Sequence, residues 1–220
     1  FLPDSGIESD VAELKGPSLD HNLVQSVDML SEIVSDPFIL GRIAAIHALS
    51  DLYAALAKPT SALAVINLPE ASLTIQTNQL TQILAGGLMA LSEAGVKLNG
   101  GHTSEGGKLS VGFSVTGLAP NRPSAKINLD KHTLGDNVFV LTKSIGTGVI
   151  MAANMQLKAD AICVDDAIAS MRHSNKNAAD IFMQNNIIAA TDVTGFGLAR
   201  HAQNLALRMG VTGCVIHLPS

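Results

Sequence analysis

The sequence is poor in aromatic residues, with 6 Phe, 1 Tyr and no Trp among 220 positions. A surface that stacks nucleic-acid bases needs aromatic faces, so a base-stacking platform is excluded. Basic side chains are also few: Lys and Arg total 14 against 19 Asp and Glu, a net charge of −5, with no extended basic run. A protein that binds a phosphate backbone displaces counterions with clustered cations, and that class drops out too. The 2 cysteines, Cys163 and Cys214, form no C-x-x-C pair, which excludes a disulfide framework or a structural zinc site. They are expected to be buried thiols in a reducing compartment. The uncharged stretch from Ala71 to Ser92 carries Gln76, Asn78, Gln79 and Gln82, a polar load that a bilayer-spanning helix rarely tolerates. No Lys/Arg-led apolar segment opens the chain, so no secretory signal is read and a cytoplasmic location is expected.

What is present is a large apolar fraction, 47% against 15% charged residues, enough for a substantial core. Asn22 to Val27 reads as a short strand ending at Asp28. Asp36-Pro37 reads as a helix start, with a capping carboxylate and a proline in the first turn. Ile39, Ile43, Ile46 and Tyr53 keep one apolar face until Lys58-Pro59 ends it, and Ser61 to Ile66 reads as a buried strand. Leu80, Ile83, Leu84, Leu88 and Leu91 follow a helical stripe. Val96 to Asn99 is a short strand running into a turn at Gly100-Gly101-His102-Thr103. Leu109 to Thr116 alternates strictly, which predicts a half-buried, antiparallel strand.

Pro120-Asn121-Arg122-Pro123 breaks regular structure and marks a boundary between a domain at 1–120 and a second at 121–220. Beyond it, Val138 to Leu141 reads as a strand and Gly146-Thr147-Gly148 opens a helix to about Met155. Helices are expected at Asp165–Arg172 and Asn177–Asn185, then a strand at Ile187–Thr191, a helix to about Met209 and a strand at Cys214–Leu218. The whole reads as two α+β halves.

Four aspartates recur beside small residues: Asp10, Asp28, Asp51 and Asp192. Magnesium takes oxygen ligands, usually one or two carboxylates plus phosphate oxygens, and a chain poor in Lys and Arg would neutralise a polyphosphate through such metals. Taken singly, Asp28 and Asp192 read more readily as a helix cap or turn former. Asp51 lies inside a helix, where aspartate is unfavourable unless its side chain is used. The Gly100–Thr103 turn would supply backbone N–H groups to a phosphate, and Gly146-Thr147-Gly148 a helix N-terminus. Neither is a Walker motif. The 7 histidines show no metal spacing; His102 stands out for its glycine neighbours, and Lys143 reads either as a phosphate contact or as a solvated lysine.

Gln-Ser-Val-Asp at 25–28, Asp-Pro-Phe at 36–38, Gly-Arg-Ile-Ala-Ala at 41–45 and Ala-Leu-Ser-Asp-Leu-Tyr-Ala at 48–54 occur in that order. Gly-Gly-His-Thr at 100–103, Leu-Thr-Lys-Ser-Ile-Gly-Thr-Gly at 141–148 and Ala-Thr-Asp-Val-Thr-Gly-Phe-Gly-Leu at 190–198 follow. Together they resemble the selenophosphate synthetase family (selenide, water dikinases), of the aminoimidazole ribonucleotide synthetase-like superfamily. Gly-Gly-His-Thr-Ser-Glu looks like the versions fused behind an NADH dehydrogenase-like domain. The resemblance implies a two-domain α+β fold. Its N-terminal domain would carry a mixed or antiparallel sheet that forms a barrel in a homodimer, and its C-terminal domain would be an α/β sandwich, here cut short. It implies ATP and selenide as substrates, with selenophosphate, AMP and phosphate as products. It implies Mg²⁺ on Asp10, Asp51 and Asp192. ATP would be contacted by Ile7, Glu8, Ser9, Asp28 and Asp51, and by the backbone at Gly100, Gly101, His102 and Thr103.

The chain departs from the family pattern in several places. The family's reactive Cys or selenocysteine and a nearby Lys precede the first aspartate motif, and neither Cys163 nor Cys214 matches them. No catalytic residue of that kind is therefore assigned in this chain, and the 220 residues alone are expected not to complete the reaction. The first motif, Ser9-Asp10-Val11-Ala12, has one carboxylate fewer than usual, and the customary Asn before Ala-Leu-Ser-Asp is His47 here, or Ile46 if the fused versions are the guide. A relative with another substrate, such as an aminoimidazole ribonucleotide synthetase-like enzyme, and a non-catalytic dimeric paralogue are the alternative readings.

Overall fold

A computed structural model describes residues 11–18, 21–120, 138–185, 187, 189–211 and 214–216. Strand β1 (Ala12–Ser18) pairs antiparallel with β2 (His21–Ser31). Helix α1 (Pro37–Ala54) follows, then β3 (Lys58–Pro69), α2 (Leu73–Glu93), β4 (Lys97–Gly106) and β5 (Ser110–Pro120). The five strands form one mixed sheet in the order β1-β2-β5-β3-β4, antiparallel except for the parallel β3–β4 pair. β5 pairs antiparallel with both β2 and β3, as its alternation predicts.

One face of the sheet packs under α1. Val24, Ile66, Val111, Phe113 and Val115 are buried there with Leu40, Leu49 and Leu52. Asp36 caps α1, its Oδ1 accepting from Ile39 N at 3.0 Å, with Pro37 in the first turn. The helix ends at Ala54, before the expected Lys58-Pro59 stop. Leu56 takes φ 54°, and the Leu56 and Ala57 N–H groups bond back to Tyr53 O and Leu52 O at 3.0 and 2.8 Å. Lys58-Pro59 opens β3 instead. α2 lies against α1 at backbone contact: a Cβ on Gly41 would stand 2.0 Å from Ile83 O, and one on Gly86 would stand 1.9 Å from Phe38 O. α2 begins at Leu73, earlier than its apolar stripe shows, because its first two turns are largely exposed.

The C-terminal half comprises α3 (Thr147–Met155), α4 (Ala161–Met171), α5 (Lys176–Gln184) and α6 (Gly197–Arg208). The expected strands at Val138–Leu141 and Ile187–Thr191 are absent among the described residues, as is strand structure at 214–216. An apolar run becomes a strand only where another pairs with it, and Val138 and Val140 are instead 82% and 72% exposed. Residues 121–137, into which the expected boundary runs, lie outside the described residues. Cys163 and Cys214 are exposed, not buried: Cys163 lies in the first turn of α4, where Ala161 to Cys163 are all exposed. No helix among the described residues is long and apolar enough to cross a membrane.

Candidate functional site

Two elements of the N-terminal half present the polar residues singled out above. On β2, Ser26 and Asp28 are two residues apart and therefore share the face turned toward α1. On α1, His47 and Asp51 are four apart and share one stripe of the helix. The two pairs meet. The Ser26 hydroxyl donates to Asp51 Oδ2, and His47 Nε2 stands 3.6 Å from Asp28 Oδ2. Asp28 lies in mid-strand rather than at a strand end. Asp51 occupies the last turn of α1 with its side chain engaged, which offsets the helix-interior penalty that made it conspicuous.

Asp192 reaches the same neighbourhood from the C-terminal half. Burial pushes its carboxyl above the ordinary value, the imidazoles of His47 and His201 oppose that shift, and the Asp28 carboxylate adds to it. His47 is thus the imidazole shared between an aspartate on β2 and one from the other half of the chain. The Asp192 loop is held from below by His201, only 7% exposed on α6. Its Nε2 accepts from Thr194 N at 3.2 Å, and its Nδ1 faces Thr191 Oγ1 at 3.5 Å. Thr191 Oγ1 in turn donates to Asp192 O at 3.1 Å.

The glycine segment is not a turn. Gly100 to Thr103 lies within β4, the outer strand, and forms a bulge in which Leu98 to Gly101 oppose only Ala62 to Ala64. Glycine is needed there: φ is 142° at Gly100 and 158° at Gly101, and a Cβ on Gly101 would stand 2.1 Å from Ala64 O. His102 and Thr103 are exposed. Asp28, Phe113, Ala64 and Gly101 form one continuous cross-strand row, so Asp28 and Gly101 are three strand spacings apart, about 14 Å. Phe113, fully buried, closes the helix-side face between them. β2 and α1 therefore bring Asp28 to His47 and Ser26 to Asp51, Asp192 interacts with His47 and Asp28, and Gly100, Gly101, His102 and Thr103 stand apart from Asp28.

Ile7, Glu8, Ser9 and Asp10 lie outside the described residues. Among the described residues no three His, Cys, Asp or Glu side chains converge as a metal-holding group. Asp51 and Asp192 have the oxygen chemistry that suits Mg²⁺, which needs only one or two protein carboxylates when phosphate oxygens complete its shell. Lys143 is half-buried: its Nζ donates to His173 O and Ser170 O at 2.7 and 3.3 Å, closing the end of α4, and burial lowers its pKa. Ser26 and the bridging place of His47 were missed in the sequence. The i, i+2 and i, i+4 spacings that bring them to Asp51 and Asp28 were the available signal.

Residues 9–119 match the AIR synthase related protein, N-terminal domain, and residues 135–219 match the C-terminal domain of the same family. The chain belongs to the AIR synthase related family. Curated relatives include the selenide, water dikinase of Geobacter metallireducens, 43% identical over 193 residues, which are 86% of this chain and 54% of that one. Selenide, water dikinase of Desulfitobacterium hafniense is 40% identical over 198 residues, 90% of this chain and 56% of that one. The chain thus spans about half the length of the curated relatives it matches. Among solved structures, thiamine-monophosphate kinase from Stenotrophomonas maltophilia gives a TM-score of 0.67 at 21% identity, over 91% of this chain and 67% of that one. The hydrogenase maturation protein HypE in complex with ATP gives 0.62 at 20% identity, over 90% and 58%. These likenesses show the two-domain α+β fold of the family.

Proposed function

We propose that this protein serves the ATP-dependent formation of selenophosphate from selenide and water, with release of AMP and phosphate. The observation that supports the reading is the pairing of β2 with α1 through Ser26–Asp51 and Asp28–His47, with Asp192 of the loop before α6 acted on by His47 and Asp28. These residues lie in stretches that match selenide, water dikinases at about 40% identity. Asp51 and Asp192, with Asp10, would hold Mg²⁺. When bound, that ion would offset triphosphate charge and orient the γ-phosphoryl group. Ser26 fixes the orientation of the Asp51 carboxylate by donating to one of its oxygens. His47 offsets repulsion between Asp28 and Asp192, so that carboxylates from both halves can face one polyphosphate. Asp28 and the Gly100–Thr103 backbone would contact nucleotide, together with Ile7 to Ser9. Because the core around Phe113 separates Asp28 from Gly101, the two segments would meet different parts of bound nucleotide, or nucleotides of two protomers.

The second copy would sit on the outer face of the sheet. Val27, Met29 and Leu63 are 61%, 49% and 47% exposed there. They adjoin through Ser114 and Gly112 of β5. An apolar sheet face left open in this way is what a shared barrel between two protomers would cover. The selenium nucleophile would come from a segment other than the described residues. The test is calorimetric titration of a non-hydrolysable ATP analogue into the chain with and without Mg²⁺; binding that needs Mg²⁺ is expected, and none by a folded dimer would remove the reading.

A further inference from the structure

We propose that Asn175 is a positioning residue: by donating to Ser50 on α1 it seats the C-terminal half on that helix and so fixes where Asp192 stands relative to His47 and Asp28. Asn175 occupies the N-cap of α5, where an asparagine side chain ordinarily accepts from the first amides of its own helix. It makes no such bond. Its Nδ2 crosses instead to Ser50 Oγ at 3.0 Å. Ser50 is 6% exposed and its own proton goes to Ile46 O at 3.0 Å, so its oxygen is left as the acceptor and the amide must present its NH₂.

The neighbours of this bond make it a seat rather than a chance contact. Ala179, four residues along α5, is 2% exposed and belongs to the main hydrophobic core. Tyr53, three residues after Ser50, is 5% exposed beneath Ser174 and Asp180. Ser50 and Tyr53 form a stripe set roughly a third of a turn round α1 from the His47–Asp51 stripe. One helix therefore carries the site on one side and the seat of the other half on the next. From α5 the chain runs directly to Asp192, with Ile187 N bonded back to Phe182 O at 2.9 Å and the Thr191–Thr194 loop held by His201. Movement of α5 on α1 would move Asp192 against partners that do not move.

The sole tyrosine of a tryptophan-free chain sits in this seat, so its fluorescence reports it without a label. Acrylamide quenching of Tyr53 is measured in the wild-type chain, Asn175→Ala, Ser50→Ala and the double variant. Ser50→Ala keeps a good helix former and guards against failure of Asn175→Ala to fold. Quenching several-fold stronger in each single variant, with no further rise in the double, is the expected result. Affinity for the non-hydrolysable ATP analogue with Mg²⁺ should fall about fivefold to tenfold in the same variants. The affinity arm rests on the proposed nucleotide site and the quenching arm does not. Unchanged quenching overturns the inference, as does a rise in quenching with affinity unaltered. If the wild-type chain binds no analogue, the nucleotide reading falls and quenching alone decides whether Asn175 seats the half that carries Asp192.

Discussion

His47 Nε2 stands 3.6 Å from Asp28 Oδ2, each side chain about a third exposed, at 31% and 32%. The pair joins α1 to β2, and its imidazole also acts on Asp192. Replacing His47 by Ala is expected to destabilise the fold by up to about 1 kcal/mol, the range for a partly exposed polar contact that is an ion pair only while the imidazole is protonated. Asp28→Asn should cost nothing more in that background, because the interaction it serves is already gone. A double-mutant cycle by urea unfolding checks this; additive losses would show that the two residues act separately.

Tyr53 gives a pH dependence with a definite sign. Burial pushes its phenol from 10.0 up to about 12; the Ser174 side chain opposes the shift and the Asp180 carboxylate adds to it. The folded state therefore favours the protonated phenol, and that stability is complete below pH 10 and lost as pH rises toward 12. Tyr53→Phe should remove this loss, so the difference in unfolding free energy between the two proteins should shift in favour of the variant by up to about 3 kcal/mol. At neutral pH the substitution should be neutral or stabilising, since no group stands within hydrogen-bond distance of the buried hydroxyl and Ser174 acts on it only weakly. Urea unfolding at matched pH values reads both.

The α1–α2 contact has no room for a side chain at Gly86, where a Cβ would stand 1.9 Å from Phe38 O. Gly86→Ala improves helix propensity yet should destabilise by about 1–3 kcal/mol through overpacking. A gain in thermal stability would contradict the close approach of the two helices.

Much of the N-terminal half was legible because local chemistry and tertiary packing agree there. Asp36-Pro37 caps α1, and the Leu109–Thr116 alternation places β5 with one face on the core. Gly100-Gly101 was misread because two adjacent glycines signal a turn, whereas here they serve a bulge that needs positive φ and contact with Ala64. The strand expected at Val138–Leu141 failed because strand propensity cannot supply a pairing partner. Within the site, the aspartates at 28, 51 and 192 stood out by residue type. Ser26 and His47 did not, since their importance comes from the partners that β2 and α1 bring to them.

The proposed dimer face makes its own demand. Leu63, 47% exposed on the outer side of β3, should tolerate Lys with little change in monomer stability, while the charge breaks association. Sedimentation velocity should show the wild type at twice the mass of Leu63→Lys. Identical masses would remove this face as the interface.

Calorimetric titration of a non-hydrolysable ATP analogue, in the presence and absence of Mg²⁺, beside Asp51→Asn tests the site most directly. The expected result is Mg²⁺-dependent binding by the wild type and loss of that dependence in the variant, with the fold retained. Equal binding by both proteins, or wild-type binding indifferent to Mg²⁺, would contradict a carboxylate–metal site built on Asp51.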